Sequence, residues 1–454
     1  MRAGQASRQN LDALRGAWRG LAAAWLRWVE PGAGGSAVSA TVLHGDCRDL
    51  MRSLPEAHFD ACVTDPPYEL GFMGKEWDRR GVAFDPATWA AVLRALKPGA
   101  HLLAFGGTRT WHRIACAIED AGFEVRDTVM WMYGTGFPKS LDVSKGIDKA
   151  AGAERQVIGV KRNTYDGVNR NPARHGNPAD QSNIGKWGLT QTPHGMPETA
   201  PATPEAARWQ GWGTALKPAW EPIIVARKPL VGTVAENVLT HGTGALNIDG
   251  CRIEGGERPW LVARRNGESD DARNAYGKGL AGSMAVADTT AGRWPANVIH
   301  DGSDEVLAAF AAYGERPGQQ GRARTDGAAQ GNAVLGSLRH VTKNPEPRGD
   351  IGTAARFFYS AKASKADRAD SKHPTVKPIA LMRYLCRLVT PPGGLVLDPF
   401  AGSGTTGEAA LREGFVPTLI EAEAEYIADI QRRLSALQEP PAPPRAGATQ
   451  MVLL

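Results

Sequence analysis

Phe59-Asp60-Ala61-Cys62-Val63-Thr64-Asp65-Pro66-Pro67-Tyr68 runs from a short, largely apolar strand into a polar turn that closes on an aromatic ring. Asp65 offers an acceptor carboxylate and the Pro66 carbonyl a second acceptor, while neither Pro66 nor Pro67 has an N–H to compete for them. Tyr68 adds a flat face. Together these groups suit an exocyclic amine on a planar base. Its two hydrogens go to Asp65 and the Pro66 carbonyl, its ring stacks on Tyr68, and its nitrogen lone pair becomes less delocalised. A proline turn without chemistry satisfies the same four residues, so the stretch decides nothing until it is read with a second one.

That second stretch is Asp398-Pro399-Phe400-Ala401-Gly402-Ser403-Gly404-Thr405-Thr406, preceded by the fully apolar Leu395-Val396-Leu397. A buried parallel strand entering a glycine turn and then a helix lets a ligand approach the backbone, with the helix N-terminus facing it. Glu421, at the end of the next strand, lies 23 residues after Asp398. This is near the roughly 20 expected of an acidic residue that binds ribose hydroxyls. The turn lacks the lysine of a nucleoside-triphosphate loop, which leaves a dinucleotide fold as the competing reading.

Asp65-Pro66-Pro67-Tyr68 followed far downstream by this glycine turn resembles the S-adenosylmethionine-dependent DNA amino-methyltransferases. The order, catalytic motif first and cofactor loop last, is similar to their permuted β class. The resemblance covers roughly 40–136 and 371–437 closely and 220–228 weakly. It implies an α/β, Rossmann-like methyltransferase fold with a mostly parallel, circularly permuted sheet and an inserted, loop-rich target-recognition region. It implies S-adenosylmethionine as cofactor and duplex DNA as partner, with a base flipped into the pocket. It assigns catalysis to Asp65, Pro66, Pro67 and Tyr68. To the cofactor pocket it assigns Asp46, Asp65, His373, Thr375, Lys377, Asp398, Pro399, Phe400, Gly402, Ser403, Gly404, Thr405 and Glu421. His373, Thr375 and Lys377, from His373-Pro374-Thr375-Val376-Lys377-Pro378, border the methionine end, and Asp46 meets the adenine amino group. A helix N-cap competes for Asp46. No metal is expected.

Composition agrees with a soluble globular protein. The chain has 454 residues, 42% hydrophobic and 22% charged, with a net charge of +5. Residues 137–370 carry 30 Lys+Arg against 25 Asp+Glu and the remainder 23 of each, so the excess lies where a polyanion would be contacted. Five scattered cysteines form no zinc or disulfide pattern and fit a reducing cytoplasm. None follows a proline, which argues against a covalent cytosine-C5 mechanism.

In chain order, Leu11, Leu14, Trp18, Leu21, Trp25 and Trp28 recur at helical spacing, so 1–37 reads as a helical extension, packed on its own domain or against a partner or second copy. It is too short and charged to span a membrane. Residues 38–136 alternate strands with helices and form the catalytic half. Glu69 to Asp78 reads as a lid over a flipped base. Residues 137–370 lose that rhythm except at a core strand over 220–228, and form the target-recognition region. Residues 371–438 form the cofactor half, and 439–454 a tail. Adenine N6 is favoured because Asp leads the tetrad, with cytosine N4 as the alternative. A protein-glutamine methyltransferase and a catalytically dead DNA-binding protein are remoter readings. A restriction endonuclease partner stays open.

Overall fold

The computed structural model describes residues 26–29, 40–71, 76–134, 136, 140–161, 196–254, 258–259, 288–289, 292–318, 348–361, 364–371, 373 and 375–437. The chain divides into two compact units, Gly136–Pro218 and the remainder.

The larger unit is built on ten strands: β1 (Leu26–Val29), β2 (Ala40–His44), β3 (Phe59–Thr64), β4 (Leu96–Phe105), β5 (Glu124–Met132), β6 (Trp220–Arg227), β7 (Val298–His300), β8 (Tyr359–Ser360), β9 (Leu395–Asp398) and β10 (Val416–Glu421). They lie in the order β1-β2-β10-β9-β3-β4-β6-β5-β7-β8. All neighbours are parallel except β1 on β2 and β6 between β4 and β5. The α/β fold class read from the sequence is therefore present.

Alternation along the central strands explains why both faces are covered. Cys62 of β3 and Leu102 and Ala104 of β4 enter one apolar cluster with helices α1 (Cys47–Ser53), α2 (Pro86–Ala95) and α3 (Trp111–Asp120). Ala61, Val63, Leu103 and Phe105 point the other way, into a cluster with α4 (Ile379–Val389) and α5 (Thr405–Arg412). Asp85 caps helix α2 through the Ala87 N–H at 2.9 Å, with Pro86 in the first turn. A last helix, α6 (Ala424–Ser435), packs against β2 and β10 through Ile430 and Leu434.

Two readings change. Within the expected N-terminal helix, Leu26–Val29 is a strand, pairing Trp28 with Thr41 of β2. The open edge of β2 offers unpaired N–H and C=O groups, and pairing with them overrides a helical spacing. Residues 1–25 and 30–39 lie outside the described residues. In the middle region, 220–228 is not the sole contribution to the core. Val298–His300 and Tyr359–Ser360 extend the parallel sheet beyond β5. Three and two residues give too little periodicity to read.

The smaller unit holds a helix at Val143–Ala150, a hairpin of Val157–Lys161 with Met196–Thr199, and a helix at Pro204–Arg208. Its buried ion pair is Asp148 with Arg155, and Asp148 also accepts from the Thr203 hydroxyl at 2.7 Å.

Candidate active site

Strands β3 and β9 are parallel neighbours, with Leu397 opposite Cys62, so the residues that follow both emerge at one edge of the sheet. The two distant stretches are joined directly: the Thr64 hydroxyl donates to Asp398 Oδ1 at 2.6 Å, both groups being buried. Asp398 also accepts from the Phe400 N–H at 3.0 Å, which shapes the start of the glycine turn. Burial raises its carboxyl to about 6 against these hydrogen bonds.

Asp65 leaves β3 with its side chain 20% exposed and both oxygens engaged. Oδ1 lies 3.0 Å from the Tyr68 hydroxyl, and Oδ2 lies 2.9 Å from Lys377 Nζ. Lys377 Nζ is also 3.0 Å from Glu221 Oε2 and 3.0 Å from Tyr68 Oη. The Tyr68 hydroxyl lies 2.9 Å from the same Glu221 oxygen. Two carboxylates, one ammonium and one phenol thus form a closed quartet. Burial raises the Asp65 carboxyl and Lys377 opposes that rise. Burial works against the charge of Lys377, but the two carboxylates outweigh it and raise its pKa. Burial, then Asp65 and Glu221, push the Tyr68 phenol well up, so it stays a hydrogen-bond donor.

The ring of Tyr68 is held from behind. A Cβ on Gly107 would come within 3.1 Å of Tyr68 Cδ2, and the Thr110 hydroxyl donates to the Tyr68 carbonyl at 2.8 Å. A side chain at Gly107 would have to push the Tyr68 ring aside by a few tenths of an ångström. Pro66 is buried and Pro67 half-buried beside it.

The cofactor candidates collect around the glycine turn. Gly402 has φ +52° and Gly404 φ +80°, the latter capping α5, and Ile430 lies 3.0 Å from where a Gly404 Cβ would stand. Ser403, Thr405 and Thr406 are buried, and the Ser403 carbonyl accepts from Arg433 at 2.9 Å. Pro399 is buried too, and Phe400 tilts against Trp89 at 6.2 Å. Glu421 Oε2 accepts from the Gly402 N–H at 2.7 Å and Oε1 from the Glu423 N–H at 2.8 Å. Burial raises its carboxyl to about 7. Each oxygen keeps a further lone pair, the acceptor set a vicinal diol requires. The left-handed glycines, the helix N-terminus and this carboxylate fit the nucleoside half of S-adenosylmethionine.

Other expected residues take more specific places. Asp46 caps α1 through the Arg48 N–H at 2.9 Å, and the Arg48 guanidinium grips both its oxygens, at 3.0 and 2.6 Å. Lys377, expected at the methionine end, stands on Asp65. His373 lies beside Gly402, stacked on Trp77 at 6.0 Å and edge-on to Tyr426 at 4.6 Å. Burial lowers its pKa and keeps it neutral. Thr375 is exposed, and its N–H donates to His373 Nδ1 at 3.3 Å. Of the loop read as a lid, residues 72–75 lie outside the described residues. Trp77 covers His373, and Asp78 accepts from the N–H groups of Glu69 and Leu70. Glu221 is the member that sequence reading missed. Its only signal was a lone acid opening an otherwise apolar strand, Trp220-Glu221-Pro222-Ile223-Ile224-Val225. No group of three or more metal-ligating side chains exists among the described residues.

Comparison with known proteins matches part of the chain. Residues 290–432 match a family model described as DNA methylase. The type II methyltransferase M2.DpnII of Streptococcus pneumoniae is 43% identical over 75 residues, which is 16% of this chain and 28% of that protein. The chain spans less than a third of the length of the curated relatives it matches, 28% and 29% for the first two. Among solved structures, the M1.HpyAVI–SAM complex aligns over 87% of this chain and 98% of its own, at 16% identity and a TM-score of 0.35. The cytosine-N4-specific PvuII DNA methyltransferase aligns over 90% of each chain, at 14% identity and a TM-score of 0.38.

Proposed function

The chain fits the S-adenosylmethionine-dependent DNA amino-methyltransferases, and from that premise we propose that it methylates the exocyclic N6 of adenine in duplex DNA at a specific site. The observation that carries this reading is the meeting of Asp65 and Asp398 at one sheet edge. The amine-binding turn and the glycine turn share a buried hydrogen bond through Thr64.

S-adenosylmethionine, the methyl donor of this family, supplies an electrophilic methyl on a sulfonium. Glu421 and the glycine turn at 402–404 are the residues to hold its nucleoside, and His373 stands beside them. Asp65 and the Pro66 carbonyl accept the two amine hydrogens and leave the nitrogen lone pair free to bond carbon. Tyr68 offers its ring to the base at a fixed height, because Gly107 and Thr110 fix it from behind. Drawing the base from the stack costs a few kcal/mol, which stacking and hydrogen bonding offset. As the nitrogen takes the methyl it becomes cationic. Its surplus proton then passes to Asp65, which becomes a neutral acid. Because Asp65 only accepts hydrogen bonds beforehand, positioning and electrostatics carry most of the acceleration.

Adenine is preferred over cytosine because aspartate leads the Asp65–Tyr68 tetrad. Residues 137–370, outside the core strands Trp220–Arg227, Val298–His300 and Tyr359–Ser360, hold the Arg and Lys side chains proposed to contact phosphates and the Arg, Asn and Gln side chains proposed to reach base edges. Expressing the chain in a host without DNA methylation and sequencing modified bases genome-wide tests the reading. The expected result is N6-methyladenine at one short motif. N4-methylcytosine alone would overturn the adenine assignment, and an unmodified genome would overturn the activity.

A further inference from the structure

We infer that Glu221 is a positioning residue for methyl transfer, acting through Lys377 and Tyr68 to hold the Asp65 carboxylate and the Tyr68 ring in place for the target amine. The inference rests on the proposed function.

Glu221 reaches the site because β6 runs antiparallel between β4 and β5. Its first residues therefore stand at the edge where the parallel strands end. Two backbone bonds fix it there: the Tyr133 N–H donates to the Ala219 carbonyl, and the Gly106 N–H to the Pro222 carbonyl, both at 2.9 Å. Burial, and then the Glu221 carboxylate, raise the pKa of the neighbouring Tyr133 phenol.

Donor and acceptor arithmetic shows what it does. Lys377 has three N–H donors, and three oxygens lie at 2.9–3.0 Å: Asp65 Oδ2, Glu221 Oε2 and Tyr68 Oη. The Tyr68 hydroxyl has one hydrogen and two carboxylate acceptors, at 3.0 and 2.9 Å. Removing Glu221 leaves both Lys377 and Tyr68 with Asp65 as their remaining carboxylate partner, and that competition is for the oxygens the amine requires. Glu221 also sets the charge of the site. With Asp65 and Lys377 it leaves one net negative charge, complementary to the positive charge that reaches the base as the methyl arrives.

The test compares Glu221→Gln, which keeps length and loses charge, with Glu221→Asp, which keeps charge. Both are assayed on duplex carrying the mapped motif, with kcat, KM for DNA and the kcat–pH profile measured. The charged or titratable groups facing Asp65 are Tyr68, Glu221, Lys377, His373 and Asp398. Loss of the Glu221 charge removes one repulsion and lowers the Asp65 pKa. The expected result for Glu221→Gln is a kcat reduced at least about tenfold, a KM for DNA within about twofold, and an acid limb moved to lower pH. Glu221→Asp keeps the wild-type acid limb with an intermediate rate. If Glu221→Gln matches wild type, or if both variants lose rate equally with the limb unmoved, the inference alone is overturned. If the unaltered protein transfers no methyl to DNA, the proposed function falls and this inference with it.

Discussion

In the proposed reaction the Asp65 carboxylate accepts an amine while it is buried and shares Lys377 with Glu221, and these demands rank the effects of substitution. Asp65→Ala removes the amine acceptor and is expected to lower kcat by at least about 100-fold. Binding of duplex DNA, measured by fluorescence anisotropy, should stay within about threefold, because phosphate contacts supply most of the affinity. Lys377→Met acts differently. It leaves two carboxylates in a site where the ammonium is 6% exposed. Taking one partner from a buried ion pair costs about 3–5 kcal/mol, so urea unfolding should show a lower midpoint as well as lost activity. Asp65, Tyr68 and the glycine turn were legible in the sequence because each occupies consecutive positions of known chemistry. Glu221 and the true place of Lys377 were not. Their meeting depends on an antiparallel strand crossing a parallel sheet, which no local spacing records.

Among the elements, the β9 turn and β10 bring Gly402 and Glu421 together, and Glu421 makes the folded state titrate. Burial lifts its carboxyl from 4.5 to about 7. Between those values the folded chain keeps a proton that the unfolded chain has released, so stability is greatest on the acid side and is lost as pH rises through 7. Asp398, lifted from 3.8 to about 6, adds a loss of the same sign at lower pH. Glu421→Gln should therefore flatten the fall in thermal midpoint between about pH 4.5 and 7, most clearly between 6 and 7 where Asp398 no longer contributes, and leave the Asp398 part at lower pH. An unchanged slope would show that Glu421 is ionised in the free protein. The core strands and helices were readable here from apolar runs and glycine stops. Leu26–Val29 was misread because its partner, the open edge of β2, lies outside its own sequence window. Strands β7 and β8 escaped because two or three residues carry no period.

Across the whole molecule, the sheet is interrupted between β5 and β6 by the unit Gly136–Pro218. The ends of that interruption are close, since the Tyr133 N–H bonds the Ala219 carbonyl at 2.9 Å. Replacing 136–218 by a short glycine linker should leave a folded protein that still binds S-adenosylmethionine, as followed by calorimetry. The expected loss is in duplex DNA affinity, and a chain that no longer folds would mean that the unit is part of the core. One experiment bears most directly on the central claim, that the Asp65 turn and the Gly402 turn serve one reaction. Duplex DNA is incubated with the protein and S-adenosylmethionine carrying a trideuterated methyl group, then digested to nucleosides and weighed by mass spectrometry. The account predicts labelled N6-methyldeoxyadenosine with wild-type protein and almost none with Asp65→Ala. No labelled nucleoside, or a label undiminished by Asp65→Ala, would contradict it.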